Sequence, residues 1–185
     1  MKKIFSLALA VFFVSCKMSQ AANNFSASSV NFPDGATLTA KHVYNSFGCT
    51  GRNISPQISW KNAPLETKSF AITVYDPDAP TGSGWWHWLV LNIPAKYSEL
   101  PQGFGEKNQF NLQDQIFQVR NDFGAFNYGG PCPPIKDKPH RYIFTVYALR
   151  VERLDLSETS TAALAGFMIN QSVLAKSSFT AYYGR

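Results

Sequence analysis

The run Arg141-Tyr142-Ile143-Phe144-Thr145-Val146-Tyr147-Ala148-Leu149 is apolar on both of its alternating faces. Successive side chains of a strand point to opposite sides of a sheet. Tyr142, Phe144, Val146 and Ala148 therefore fall on one side, and Ile143, Tyr147 and Leu149 on the other. A strand of this kind needs cover on both faces, which places it in the middle of a layered structure.

Two further runs share its character. Residues 69–75 are rich in β-branched and aromatic side chains and are stopped by Pro77; residues 86–93 are stopped by Pro94. Weaker strand signals lie at 25–30, 57–60, 115–120 and 179–183. Eleven prolines break the chain into short strands, which suits a mostly β sandwich or Greek-key sheet. One helix is expected near the end. Ser157 to Thr161 supply capping residues, with Glu158 near the positive end of the helix dipole. Leu164, Phe167, Met168, Gln171, Leu174 and Ala175 recur at helical spacing and predict an apolar stripe that lies on the sheet.

The first residues read differently. Lys2 and Lys3 precede an apolar run from Ile4 to Val14, too short to span a bilayer, with small residues at Ser19 and Ala21. This is the pattern of a cleaved secretory signal peptide over 1–21, leaving 22–185 as a single domain exported to the periplasm. Phe13-Val14-Ser15-Cys16 offers a second reading, a lipoprotein cleavage site with phenylalanine where leucine is usual. Cleavage after Ala21 removes Lys2, Lys3 and Lys17 and lowers the formal net charge from +5 to +2. No Lys/Arg cluster is left to track a nucleic-acid backbone, so neither nucleic acid nor a membrane span is expected. Cys49 and Cys132 remain, both in Gly/Pro-rich loops. An even count in an exported chain predicts one disulfide; the alternative is two separately buried thiols.

The chemistry-bearing residues gather at strand ends. Asp76-Pro77-Asp78-Ala79-Pro80 follows one strong strand, with its two aspartates placed either to face one side or to bond a local turn. His87 opens the next strand after a Gly/Ser loop and the pair Trp85-Trp86; His140 opens the last strong strand after a proline-rich loop. If those strands are neighbours, the imidazoles converge at one sheet end. Arg141 points away from His140 and needs a carboxylate, for which Asp78 or Asp76 is the candidate.

Asp76-Pro77-Asp78-Ala79-Pro80, Trp85-Trp86-His87-Trp88, and Pro133-Pro134 six residues before His140-Arg141-Tyr142 resemble, in order and spacing, the paired signatures of the phosphatidylethanolamine-binding proteins, the family that includes Raf kinase inhibitor protein. The segments 47–56 and 130–134 resemble its bacterial branch. The resemblance implies a large antiparallel sheet with a smaller second sheet, a C-terminal helix, and a small pocket for phosphate- or carboxylate-like anions at the sheet end. It carries the lining onto Asp76, His87, Pro133, His140 and Tyr142, with Asp78 and Arg141 as a supporting pair. Trp86 stands where eukaryotic members often have a second histidine. Cys132 stands beside the pocket prolines, where those members have glycine.

Three functions fit these residues. Imidazole N–H groups can donate to an anion, and more strongly at acidic pH. A metal site could use both histidines and Asp76, but the chain lacks H-x-x-x-H and C-x-x-C spacings and the resemblance brings no metal. A hydrolase could use Cys132 with His140, or Ser83 with His87, but the chain has no G-x-S-x-G elbow. The expectation is a non-enzymatic binding protein without cofactor or metal. Its expected partners are a small phosphate-, phosphorylethanolamine- or carboxylate-like anion, a protein target that it inhibits or modulates, and a second copy in a homodimer.

Overall fold

The computed structural model describes residues 24–106, 116–157 and 159–185. The expected leader, Gln115 and Glu158 lie outside the described residues. Eight strands and one helix follow in the order β1 (Ser26–Ser28), β2 (Ile58–Lys61), β3 (Ser69–Asp76), β4 (Trp85–Pro94), β5 (Glu99–Leu100), β6 (Phe117–Gln118), β7 (His140–Leu149), α1 (Ala162–Ser172) and β8 (Val173–Tyr183). Five of them form an antiparallel sheet in the order β6-β4-β3-β7-β8, and β1-β2-β5 form a second, smaller antiparallel sheet. The mostly β, two-sheet architecture with one helix in the C-terminal quarter is the expected fold.

The large sheet is covered on both faces, which explains the two-sided strands. One face carries Phe70, Ile72, Val74, Trp88, Val90, Tyr142, Phe144 and Val146, packed with Ile58 and Trp60 of the small sheet. The other carries Ala71, Leu89, Leu91 and Leu149, packed with Ala162, Ala165 and Ile169 of the helix. Burying one such aliphatic or aromatic side chain contributes roughly 1.5–3 kcal/mol, so the two layers together fix the positions of the strand ends.

The helix begins where the capping residues predict. Thr161 is the N-cap, and its hydroxyl accepts from the Leu164 N–H at 3.1 Å. Its expected apolar stripe is corrected. Leu164 and Phe167 are exposed, Met168 is half-buried, and the buried line is Ala162, Ala165 and Ile169. Small side chains let the helix lie close to the sheet, with the Trp86 ring against Gly166, where an added Cβ would sit 3.5 Å from the indole. Leu174 and Ala175 are not helical; the chain turns extended at Val173 and runs straight into β8.

One irregularity positions a functional side chain. Val74 pairs with Trp88 and Tyr75 with Trp86, so His87 is an extra residue on β4. Strict alternation from Trp88 would send His87 to the helix side with Leu89. The bulge reverses this: Trp86 packs at a tilt against Tyr75 and joins the helix-side layer, while His87 turns to the face of Trp88 and Tyr142. Bulges re-aim side chains in this way at sheet ends.

Candidate functional site

At the end of the large sheet lies a cavity of about 170 Å³ lined by Phe47, Asp76, Ala79, Pro80, Thr81, Trp85, His87, Phe123, Cys132, Pro133, Pro134, His140 and Tyr142. It is smaller than the pockets that enclose drug-sized ligands, roughly 300–1,000 Å³, so it suits a small group. All five residues expected to line a pocket (Asp76, His87, Pro133, His140 and Tyr142) are brought together here. Cys132 is at the rim; Asp78, Arg141, Trp86 and Ser83 are not among the lining residues. His42, the remaining histidine, is buried elsewhere, with Nδ1 2.7 Å from the Ile54 carbonyl oxygen.

Asp76 ends β3 and is buried. Its Oδ1 accepts from the N–H groups of Asp78 and Ala79 at 2.8 and 3.1 Å, closing the turn, and its Oδ2 lies 2.8 Å from His140 Nδ1. A carboxylate accepts, so His140 donates from Nδ1. The Nε2 of His140 lies 3.4 Å from Asp137 Oδ2. Asp78 leaves the site: Arg141 donates to it from Nε at 2.8 Å and Nη2 at 2.6 Å, and from its backbone N–H at 2.9 Å. These bonds hold the Asp78 carboxyl down at about 2. The two aspartates therefore diverge, one inward and one to the surface pair.

His87 is buried, with its ring edge-on to Tyr142 and Phe123 at 5.1 and 5.3 Å. Its Nδ1 lies 2.7 Å from the carbonyl oxygen of Gly129, to which it must donate. Burial pushes its pKa down to about 4, and the Gly129 bond only partly opposes this. The sequence reading has both imidazoles donating N–H groups to an anion and charging at mildly acidic pH. The structure assigns the one proton of neutral His87 to the backbone and keeps the ring neutral to well below its ordinary range. Tyr142 is raised, chiefly by burial and then by the nearby charge of Asp76. The Tyr142 hydroxyl and the Trp85 indole N–H are buried without a hydrogen-bond partner among the described residues.

The rim is tied covalently and by hydrogen bonds. Cys49 and Cys132 form a disulfide with a Cα–Cα distance of 6.0 Å. Phe47, in a tight turn with φ of 54°, leans on Phe123, which stacks on Tyr44 at 4.2 Å. Arg185 donates from Nε to the Pro133 carbonyl at 2.6 Å and from Nη1 to the Gly48 carbonyl at 3.0 Å, joining the two rim loops. Sequence reasoning missed Phe47, Phe123 and Arg185. They sit in irregular loops or at the chain's end, where no periodicity marks a facing side. Among the described residues no group of three His, Cys, Asp or Glu side chains could hold a metal ion, and no helix is long and apolar enough to cross a membrane.

The family model for "Phosphatidylethanolamine-binding protein" matches residues 28–184. The chain belongs to the phosphatidylethanolamine-binding protein family. Within this family it is similar to UPF0098 protein YbcL of Escherichia coli (strain K12), with 48% identity over 159 residues covering 86% of this chain and 87% of that protein. UPF0098 protein YbhB of the same organism is 50% identical over 150 residues, 81% of this chain and 94% of that one. The crystal structure of E. coli YbcL, described as a new member of the mammalian family, superimposes with a TM-score of 0.84 at 47% identity, covering 87% of this chain and 98% of that chain. A homologue from Chlamydia trachomatis gives a TM-score of 0.72 at 30% identity, covering 89% and 99%. The protein is thus a ligand-binding protein of the YbcL and YbhB type, and the paired motifs at 76–80, 85–88 and 133–142 are the segments that build its cavity.

Proposed function

We propose that this protein is an exported, non-enzymatic binding protein whose cavity takes a small phosphate- or phosphorylethanolamine-like anion and which modulates another protein. The observation that carries the reading is the convergence of Asp76, His87, His140 and Tyr142, from three strands, on one small cavity. The walls contributed by Phe47, Trp85, Phe123 and the prolines are apolar, which strengthens any polar contact made inside. Cys132 is bonded to Cys49 and so offers no thiolate nucleophile, and the Ser83 carbonyl caps Tyr75 on the loop, away from the cavity lining. The leader pattern of residues 1–21 and the disulfide both favour an oxidising compartment such as the periplasm.

Titration calorimetry of the purified chain with phosphorylethanolamine tests the reading. Saturable binding is expected, weakened about tenfold by His87→Ala and by His140→Ala through the loss of one buried polar contact each, and unchanged by Ser83→Ala. Equal affinity of the histidine variants and the parent chain would remove the cavity from the function.

A further inference from the structure

His87 is held by two consecutive glycines, and those glycines are held in turn by a side chain outside the cavity. The Gly129 carbonyl accepts from His87 Nδ1 at 2.7 Å, and the Gly129 N–H donates to the His87 carbonyl at 2.9 Å. Gly130 makes a second backbone contact with the same imidazole. Both glycines are tightly packed. An added Cβ at Gly129 would meet the Phe123 ring, and one at Gly130 the His42 carbonyl oxygen. The ring is therefore only as well placed as the 128–130 backbone, which lies outside the strands.

Asn53 supplies the hold that a sheet ladder would otherwise give. Its Oδ1 accepts from the Gly130 N–H at 2.7 Å, and its Nδ2 donates to the Tyr128 carbonyl at 2.9 Å. The two bonds bracket Gly129 from both sides, a grip that needs the donor and the acceptor of one amide. Asn53 itself is fixed. Its φ of 52° is left-handed, a conformation that asparagine tolerates better than most residues, and its N–H donates to the Val43 carbonyl at 2.8 Å. It is half-buried and does not line the cavity; it borders a separate polar cleft with Arg52, Asn127 and Tyr128.

We propose that Asn53 is a positioning residue for His87, acting through Gly129 and Gly130 from outside the cavity. This role deepens the anion-site reading above and rests on it for the effect on binding. Loss of the Asn53 amide releases the 128–130 segment, lets the Gly129 carbonyl leave Nδ1 and frees the imidazole to turn. Asn121 does not replace it: its Nδ2 donates to the His87 carbonyl at 3.2 Å and so steadies the backbone of β4, not the partner of the ring.

The test follows the Nδ1 proton of His87 by NMR in the nitrogen-15-labelled full protein. Held by Gly129, that proton exchanges with water when the 128–130 segment opens. Asn53→Gly suits the left-handed backbone and removes both bonds. It is expected to speed the exchange about tenfold or more and to weaken phosphorylethanolamine, measured by calorimetry, about fivefold. Ile169→Ala lowers stability beneath the helix, on the other face of the sheet, and should leave both the exchange rate and the affinity as in the parent. Equal acceleration in the two variants overturns the inference, because Asn53 would then act through overall stability alone. A parent-like exchange rate in Asn53→Gly overturns it as well, and so does faster exchange with unchanged affinity. Absence of binding by the parent overturns the anion-site reading instead, and the exchange rates still decide whether Asn53 holds the ring. Should Asn53→Gly not fold, Asn53→Asp carries the test. It keeps an acceptor for the Gly130 N–H but sets an oxygen against the Tyr128 carbonyl, so exchange should quicken about fivefold through the loss of one bond; a parent-like rate there sinks the assignment.

Discussion

His140 Nδ1 and Asp76 Oδ2 lie 2.8 Å apart across the ends of β7 and β3, both side chains buried. The other oxygen of the same carboxylate holds two backbone N–H groups of the 76–79 turn. One residue thus sets both the orientation of an imidazole and the shape of the cavity wall. Asp76→Ala removes the acceptor for three hydrogen bonds and leaves buried donors unpaired. The expected cost is about 3 kcal/mol, measured as a lower urea midpoint at unchanged slope. Asp76→Asn keeps a carbonyl oxygen for the turn and should lose about half as much. Equal losses in the two variants would mean that the turn bonds do not depend on Asp76.

The neighbouring pair predicts a pH dependence of stability. Folding holds the Asp78 pKa below its ordinary 3.8, at about 2, because Arg141 hydrogen-bonds the carboxylate. As pH falls the unfolded chain takes up this proton first, so stability drops. The contribution is complete above pH ~4 and is lost toward pH ~2. The pair is partly exposed, so solvent screens it and the effect is small. Asp78→Asn should flatten the stability profile in that window: it is slightly less stable than the parent above pH ~4, and the two converge toward pH ~2. An identical acid limb in the parent and the variant would assign the loss to other carboxylates.

The disulfide predicts a joint loss of stability and binding. Cys49 and Cys132 are 83 residues apart in sequence, and in the chain-entropy model closing a loop of that length contributes about 4 kcal/mol. Cys132 also adjoins Pro133 and Pro134 in the cavity wall. The Cys49→Ser, Cys132→Ser double variant should therefore unfold at lower urea and bind phosphorylethanolamine more weakly. Proteolysis of the unreduced parent should yield one peptide pair cross-linked through these two cysteines. Free thiols at both positions would refute the pairing.

The strong strands were legible because burial on both faces left them unbroken apolar runs, and prolines marked their ends. Asp76, His87 and His140 were legible as strand-end polar residues beside Pro/Gly loops. Their convergence was not, because it depends on β3 lying between β4 and β7 and on a bulge at His87 that reverses the alternation. Trp86 shows the same limit. It follows the tryptophan that lines the cavity, but the bulge gives it to the helix-side layer. Phe123 and Arg185 act through loop contacts that no local pattern encodes. Side-chain size does not reveal the phase of the helix, because the small Ala162 and Ala165 form its buried face with Ile169 and leave Leu164 and Phe167 outside.

That phase can be tested directly, and the two assignments predict opposite orders. Periodicity weighted by side-chain size puts Leu164 and Phe167 on the sheet; the structure leaves both exposed and buries Ala162, Ala165 and Ile169. Ala165 has no accessible surface, so Ala165→Leu forces extra methyl groups into a filled contact and should cost about 1–3 kcal/mol. Ile169→Ala opens a cavity beneath the helix and should cost about 2–5 kcal/mol. Phe167→Ser, on the outer face, should stay within about 0.5 kcal/mol of the parent. Urea unfolding of the three variants gives the order. A large loss for Phe167→Ser with little for Ala165→Leu would turn the helix by roughly half a rotation and free Trp86 from its contact with Gly166.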